Sequence, residues 1–180
     1  MPVWVSLLRG VNLGKHNQIN MPELREALAA AGFQDVRSYV QSGNLVTTSS
    51  HRSADRVATA VADVIAARFG LQLPVVVRSP AQLRQVLTWC PFPGAAARPT
   101  TVHVIHLAAV PDPGRLPSVL DQDWGPDQVA HRGLEIVIRY DGAMHASRLQ
   151  HALVLRRLGG DGTARNWRTL QALVDLTATG

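Results

Sequence analysis

Two hydrophobic periods alternate along this chain, and the places where one gives way to the other mark its elements. Val3 to Leu8 is a mostly apolar, β-branched run closed by Arg9-Gly10, which predicts a buried strand. A polar loop with two glycines comes next, from Gly10 to Asn20. Asn20-Met21-Pro22-Glu23 then announces a helix, with Asn20 as its cap and Glu23 three residues on, as in a capping box. Leu24, Ala27, Leu28 and Ala31 recur at helical spacing. Gly32 is placed to end the helix in the left-handed conformation, with Phe33 packing back on it.

Val36 to Gln41 and Leu45 to Thr48 read as short strands around Ser42-Gly43-Asn44. The glycine and asparagine tolerate positive φ, so a tight hairpin is expected. The helix Asp55 to Phe69 carries Val57, Val61, Val64, Ile65 and Phe69 on one face, and Gly70 stops it. Leu73 to Val77 is a fourth strand, with Pro74 marking an edge or a strand start. The order β-α-β-β-α-β is the ferredoxin-like pattern, whose right-handed crossovers place both helices on one sheet face.

Beyond Ser79-Pro80 a helix runs to about Trp89, and residues 91–100 read as a loop or linker. Thr101 to Ala109 is a strand, and Pro111 to Pro117 leads into a short helix ending near Trp124. Gln128 to Ala130 and Leu134 to Tyr140 form a hairpin across His131-Arg132-Gly133. Two helices, roughly Ala146–Leu158 and Ala164–Thr177, finish the chain. The second half thus reads β-α-β-β-α-α. The fold class is α+β, divided into a ferredoxin-like part over residues 1–78 and a second small α+β part over 79–180, with one compact unit as the alternative.

Composition excludes several classes. The 180 residues are 46% hydrophobic and 17% charged, enough to bury a core without staples. A single cysteine, Cys90, excludes an internal disulfide. The first residues lack the pattern of a signal peptide, and no apolar run approaches a membrane span, so the cytoplasm is the expected compartment. The net charge of +5 comes without any basic block, and Lys15 is the only lysine. That balance favours polyanionic partners only weakly.

Three segments carry candidate chemistry. Arg9-Gly10-Val11-Asn12-Leu13-Gly14-Lys15 leaves a strand through two glycines and meets a lysine before a helix, an arrangement suited to phosphate. It is not a Walker loop, because the spacing is one residue short and His16 stands where Ser or Thr would hold magnesium. A plain connecting loop explains its glycines equally well. Tyr39-Val40-Gln41-Ser42-Gly43-Asn44 is first a hairpin turn, yet turn chemistry alone does not require Gln41 and Asn44. In Gly159 to Trp167, Thr163 is placed to cap the last helix, with Arg165 and Asn166 in its first turn. A cation there opposes the helix dipole, which implies an acidic partner or an anion for Arg165. In the ferredoxin-like order the first and second strands run parallel, so the first loop and the hairpin share one end of the sheet. Arg9, Asn12 and Lys15 are therefore expected near Gln41, Ser42 and Asn44.

These motifs, Leu7 to Lys15, Met21-Pro22-Glu23-Leu24, Ser38 to Asn44 and Thr163-Ala164-Arg165-Asn166-Trp167, resemble those of the bacterial domain-of-unknown-function 1697 (DUF1697) family. The resemblance spans nearly the whole chain. It implies a compact α+β protein with a ferredoxin-like N-terminal part, and it implies no activity. Thr47-Thr48-Ser49 departs from the apolar continuation expected after the hairpin, which leaves the end of that strand open.

Other readings fail. His103 and His106, three apart on a strand, face opposite sides, and no histidine set has zinc spacing, so no metal is expected. Cys90 reads as a buried apolar thiol rather than a nucleophile. No Gly-x-Ser-x-Gly elbow occurs. RNA binding of the RRM type needs aromatics on the central strands, and the third strand has none. The leading expectation is a binder of a small anionic or nucleotide-like ligand, using Arg9, Asn12, Lys15, Gln41, Ser42, Asn44, Arg165 and Asn166. The alternatives are a nucleic-acid binder using distributed arginines and an interaction or assembly module without a ligand.

Overall fold

The computed structural model describes residues 1–178. The described chain divides into two compact units, one made of residues 1–85 and 172–178, the other of Val86–Gln171.

In the first unit, β1 (Val3–Leu8), β2 (Gln34–Tyr39), β3 (Asn44–Thr48) and β4 (Val75–Arg78) form an antiparallel sheet in the order β2-β3-β1-β4. The helices α1 (Met21–Ala30) and α2 (Ala54–Phe69) complete the β-α-β-β-α-β order expected from sequence. Leu8, Leu45 and Val77 from the sheet, Leu24 and Leu28 from α1, and Val57, Val61 and Ile65 from α2 make one buried cluster. Burying such aliphatic side chains is worth about 1.5–3 kcal/mol each. The Asn20 side chain accepts from the Glu23 N–H at 3.0 Å, so α1 starts where its cap predicts. It ends in a Schellman arrangement: the Gly32 N–H donates to the Ala29 carbonyl, and the Phe33 N–H to that of Leu28. Thr47 pairs with Trp4 and β3 runs on to Thr48, which settles the end of that strand. Trp4 packs against the helix-side cluster and donates to the His51 carbonyl at 3.1 Å.

In the second unit, β5 (Val102–Leu107), β6 (Gln128–Arg132), β7 (Glu135–Arg139) and β8 (Gly162–Asn166) form an antiparallel sheet in the order β6-β7-β5-β8. Helices α4 (Pro117–Leu120) and α5 (His151–Leu158) lie within it in sequence. Helices α3 (Pro80–Trp89) and α6 (Trp167–Ala178) flank its strands along the chain. Ile105, Leu107, Ile136, Ile138, Val154, Leu155 and Leu158 centre its core.

Three expectations are corrected here. The second half has a fourth strand, β8, so its order is β-α-β-β-α-β and then α6. Thr163 and Arg165 therefore lie on a strand rather than at a helix start. The cap of α6 is Asn166, whose Oδ1 accepts from the Thr169 N–H at 2.9 Å. The long helix expected from Ala146 begins at His151, after a separate 3-10 turn at Met144–Ala146.

Candidate functional site

β1 and β2 each pair antiparallel with β3, so they run parallel and end at the same edge of the first sheet. The loop leaving β1 therefore meets the β2–β3 hairpin, as the topology predicts. The Leu8 N–H donates to the Gly43 carbonyl at 2.8 Å, and the Asn12 amide donates to the Gln41 carbonyl at 2.7 Å. Gly43 makes this approach possible. Its φ is +77°, and a Cβ there would stand 2.6 Å from Val11 Cγ2 and 2.7 Å from Leu8 Cβ. No larger residue fits without moving one segment off the other.

Side-chain amides hold the loop in shape. Asn12, at φ +53°, accepts from the Ile19 N–H at 2.9 Å and donates to the Ile19 carbonyl at 3.1 Å as well as to Gln41. Asn17 donates to the Gly10 carbonyl at 3.0 Å, and Gln18 to that of Gly14 at 2.8 Å. On the hairpin, Asn44 is fully buried and its amide donates to the Tyr39 carbonyl and to Ser42 Oγ, both at 3.0 Å. The positive φ of this turn falls at Val40 (+50°) and Gly43, whereas the sequence pointed to Gly43 and Asn44. A β-branched residue in that conformation is strained, and Val40 is exposed as well.

The expected site residues thus divide by task. Asn12 and Asn44 turn their amides inward and set the shape of the two segments. Lys15, Gln41 and Ser42 are exposed, and Arg9 is half-buried at the loop's root. Residues 9–20 and 36–50 contain Arg9, Lys15 and Arg37 and no aspartate or glutamate. These two segments therefore bring positive charge to this end of the sheet and no carboxylate of their own.

Arg165 and Asn166 belong to the second unit. Arg165 is buried on β8 and donates through Nη1 to Thr163 Oγ1 and to the Ala164 carbonyl, both at 2.8 Å. Burial lowers its pKa to about 10. The acidic partner or anion was inferred from a helix-start position, and that inference does not apply on a strand. Neutral oxygens of its own strand are among the partners of Arg165.

Sequence reasoning missed two polar clusters in the second unit. His106 and Glu135 are cross-strand neighbours on β5 and β7, both buried, with Nδ1 and Oε2 2.8 Å apart. On the opposite face of β5, His103 Nδ1 lies 3.2 Å from His151 Nε2 at the start of α5. The expectation that His103 and His106 face opposite sides holds. Their partners, 29 and 48 residues away along the chain, leave no spacing signal.

No group of three or more His, Cys, Asp or Glu side chains fit to hold a metal occurs among the described residues. No helix among them is long and apolar enough to cross a membrane. Cys90 is a free, half-buried thiol whose Sγ lies 3.5 Å from the Phe92 carbonyl.

Comparison with known proteins adds the fold and the family. A solved structure titled "The structure of conserved bacterial protein SP0830 from Streptococcus pneumoniae" superposes with a TM-score of 0.75 at 19% identity, covering 97% of each chain. At that identity the likeness concerns the fold alone. No curated protein matches. The family model "Protein of unknown function (DUF1697)" matches residues 1–136, a span that contains the β1 loop and the hairpin and ends before Thr163–Trp167. The chain belongs to the DUF1697 family.

Proposed function

We propose that the β1 loop and the β2–β3 hairpin of the first unit form a binding surface for a small anionic or nucleotide-like ligand. Arg9 and Lys15 supply charge. Gln41 and Ser42 supply hydrogen bonds, and Asn12 and Asn44 hold the two segments in register. The observation that carries this reading is the Asn12–Gln41 bond, which fixes a carboxylate-free, lysine-bearing loop against a polar turn. The strained, exposed Val40 beside it is further support, because such conformations persist where function holds them.

Two features weigh against nucleic acid through distributed arginines. Arg78 and Arg165 are buried, which removes them from any phosphate-contacting surface. Trp4 packs on the helix side of its sheet and offers no stacking platform.

The test is a thermal-shift screen with inorganic phosphate, pyrophosphate, nucleotides and sugar phosphates, run on the wild type and on Lys15→Ala. A compound that raises the melting temperature of the wild type and leaves the variant unmoved supports the site and names its ligand class. An equal rise in both proteins places binding elsewhere and refutes the reading.

A further inference from the structure

We propose that His103 and His151 form a two-histidine binding site for a borderline transition-metal dication such as Zn2+, Ni2+ or Cu2+, with water completing its coordination. The site lies wholly within the second unit and is independent of the anion surface proposed above.

The geometry is that of a ligand pair. His103 projects from β5, between its cross-strand neighbours Ile138 and Asn166. His151 is the first residue of α5. His103 Nδ1 and His151 Nε2 are 3.2 Å apart, and the rings are tilted 42° to each other. Two nitrogens bound to a tetrahedral ion at about 2.0–2.1 Å stand about 3.3 Å from each other. The existing nitrogen–nitrogen separation is close to that requirement.

The far nitrogen of His103 also fits, and binding requires the His151 tautomer that carries its proton on Nδ1. His103 Nε2 lies 3.1 Å from the Thr100 carbonyl, which accepts its proton and leaves the lone pair on Nδ1, facing His151. A backbone carbonyl that orients the far nitrogen is the usual support of a metal-ligating histidine. Tyr140 stands edge-on to His103 with ring centres 5.1 Å apart, and its hydroxyl donates to the Leu149 carbonyl at 2.7 Å. The pair therefore rests on a fixed wall.

Burial lowers the pKa of His103, opposed by its bond to Thr100. Burial and then the neighbouring His103 bring that of His151 to about 4. His103 and His151 are both half-buried. Asp127 is the carboxylate whose charge, after burial, helps to raise the pKa of the neighbouring Tyr140. Its Oδ1 already accepts from the Asp141 N–H. It is no third ligand, which agrees with the lack of any three-residue metal cluster among the described residues. Two imidazoles select for zinc, nickel or copper over calcium or magnesium, which demand oxygen.

The experiment is long-range 1H–15N NMR of the histidine rings of the whole chain as Zn2+ is added, with Mg2+ as the control ion. Zn2+ should shift the His103 Nδ1 and His151 Nε2 signals together and saturate at one equivalent, while Mg2+ leaves them in place. Copper bound to the wild type should show paramagnetic-resonance splitting from two nitrogens, reduced in His151→Gln. Unmoved His103 and His151 rings at excess Zn2+ would overturn the proposal and leave a plain imidazole–imidazole hydrogen bond. So would shifts confined to other histidines. The wild-type measurement decides the matter even if a variant fails to fold.

Discussion

The two units repeat one chain order and even the same joints, yet they end in different chemistry. In the first, the residues leaving β1 are fastened by Leu8 N–H to the Gly43 carbonyl at 2.8 Å and by Arg9 N–H to the Pro74 carbonyl at 3.1 Å. In the second, those leaving β5 are fastened by Leu107 N–H to the Leu134 carbonyl and by Ala108 N–H to the Asp161 carbonyl, both at 2.8 Å. The backbone frame is thus the same, and the difference lies in the segment that leaves it. The first unit continues into a polar loop folded on itself by Asn12, Asn17 and Gln18. The second continues into Ala108-Ala109-Val110-Pro111 and a short turn in which Asp112 accepts from the Gly114 N–H. The fold supplies an end of a sheet, and the side chains placed there decide what it does.

The sharpest way to break this comparison lies in the two hairpin glycines. Gly43→Ala should cost about 3–5 kcal/mol, from a left-handed alanine together with overlap on Val11 and Leu8. Gly133, at φ +58° in the β6–β7 turn, has nothing within 4 Å of its missing Cβ. Gly133→Ala should cost only about 1–2 kcal/mol, the conformational part alone. Urea denaturation of both variants measures the difference. Equal losses would mean that the loop does not lie on the hairpin.

A smaller contrast separates the loops. Asn12→Ala removes three hydrogen bonds and should cost about 2–3 kcal/mol. Asp112→Ala removes the bond to Gly114 and should cost about 1 kcal/mol or less. If the two losses match in the same denaturation assay, the amide tether of the first loop is not what orders it.

A third contrast concerns pH and belongs to the second unit alone. The pKa of His151 is depressed to about 4, below its unfolded value of 6.5. The unfolded chain therefore takes up a proton first as pH falls. The stability contributed by neutral His151 is complete above about 6.5, declines between there and about 4, and is gone below. Melting curves of His151→Gln should fall less steeply than those of the wild type across that window, and parallel curves would contradict the assignment.

Much of the first unit was legible because its signals are local. Asn20 caps, Gly32 and Phe33 close α1, and Gly43 turns the hairpin, each through chemistry within a few residues. The meeting of the β1 loop and the hairpin was legible too, since strand order alone requires it. The strand β8 was not. Gly162-Thr163-Ala164-Arg165-Asn166 has a small, polar composition that reads as a cap, and only its pairing with β5 makes it a strand. The β-α-β-β-α-β order of the first half was the one available hint. The inward direction of the Asn12 and Asn44 amides was likewise hidden, because sequence states a donor's identity and not its aim. His103 and His151 meet only through tertiary packing.

The central claim is that the β1 loop and the hairpin together receive an anion. The most direct measurement is a titration of the 15N-labelled chain with pyrophosphate, monitored by amide NMR. Saturable shifts confined to the amides of residues 10–20 and 40–43, lost in Lys15→Ala, are the predicted result. Amides in both segments that stay unmoved while others shift, or a response unchanged in Lys15→Ala, would contradict the account.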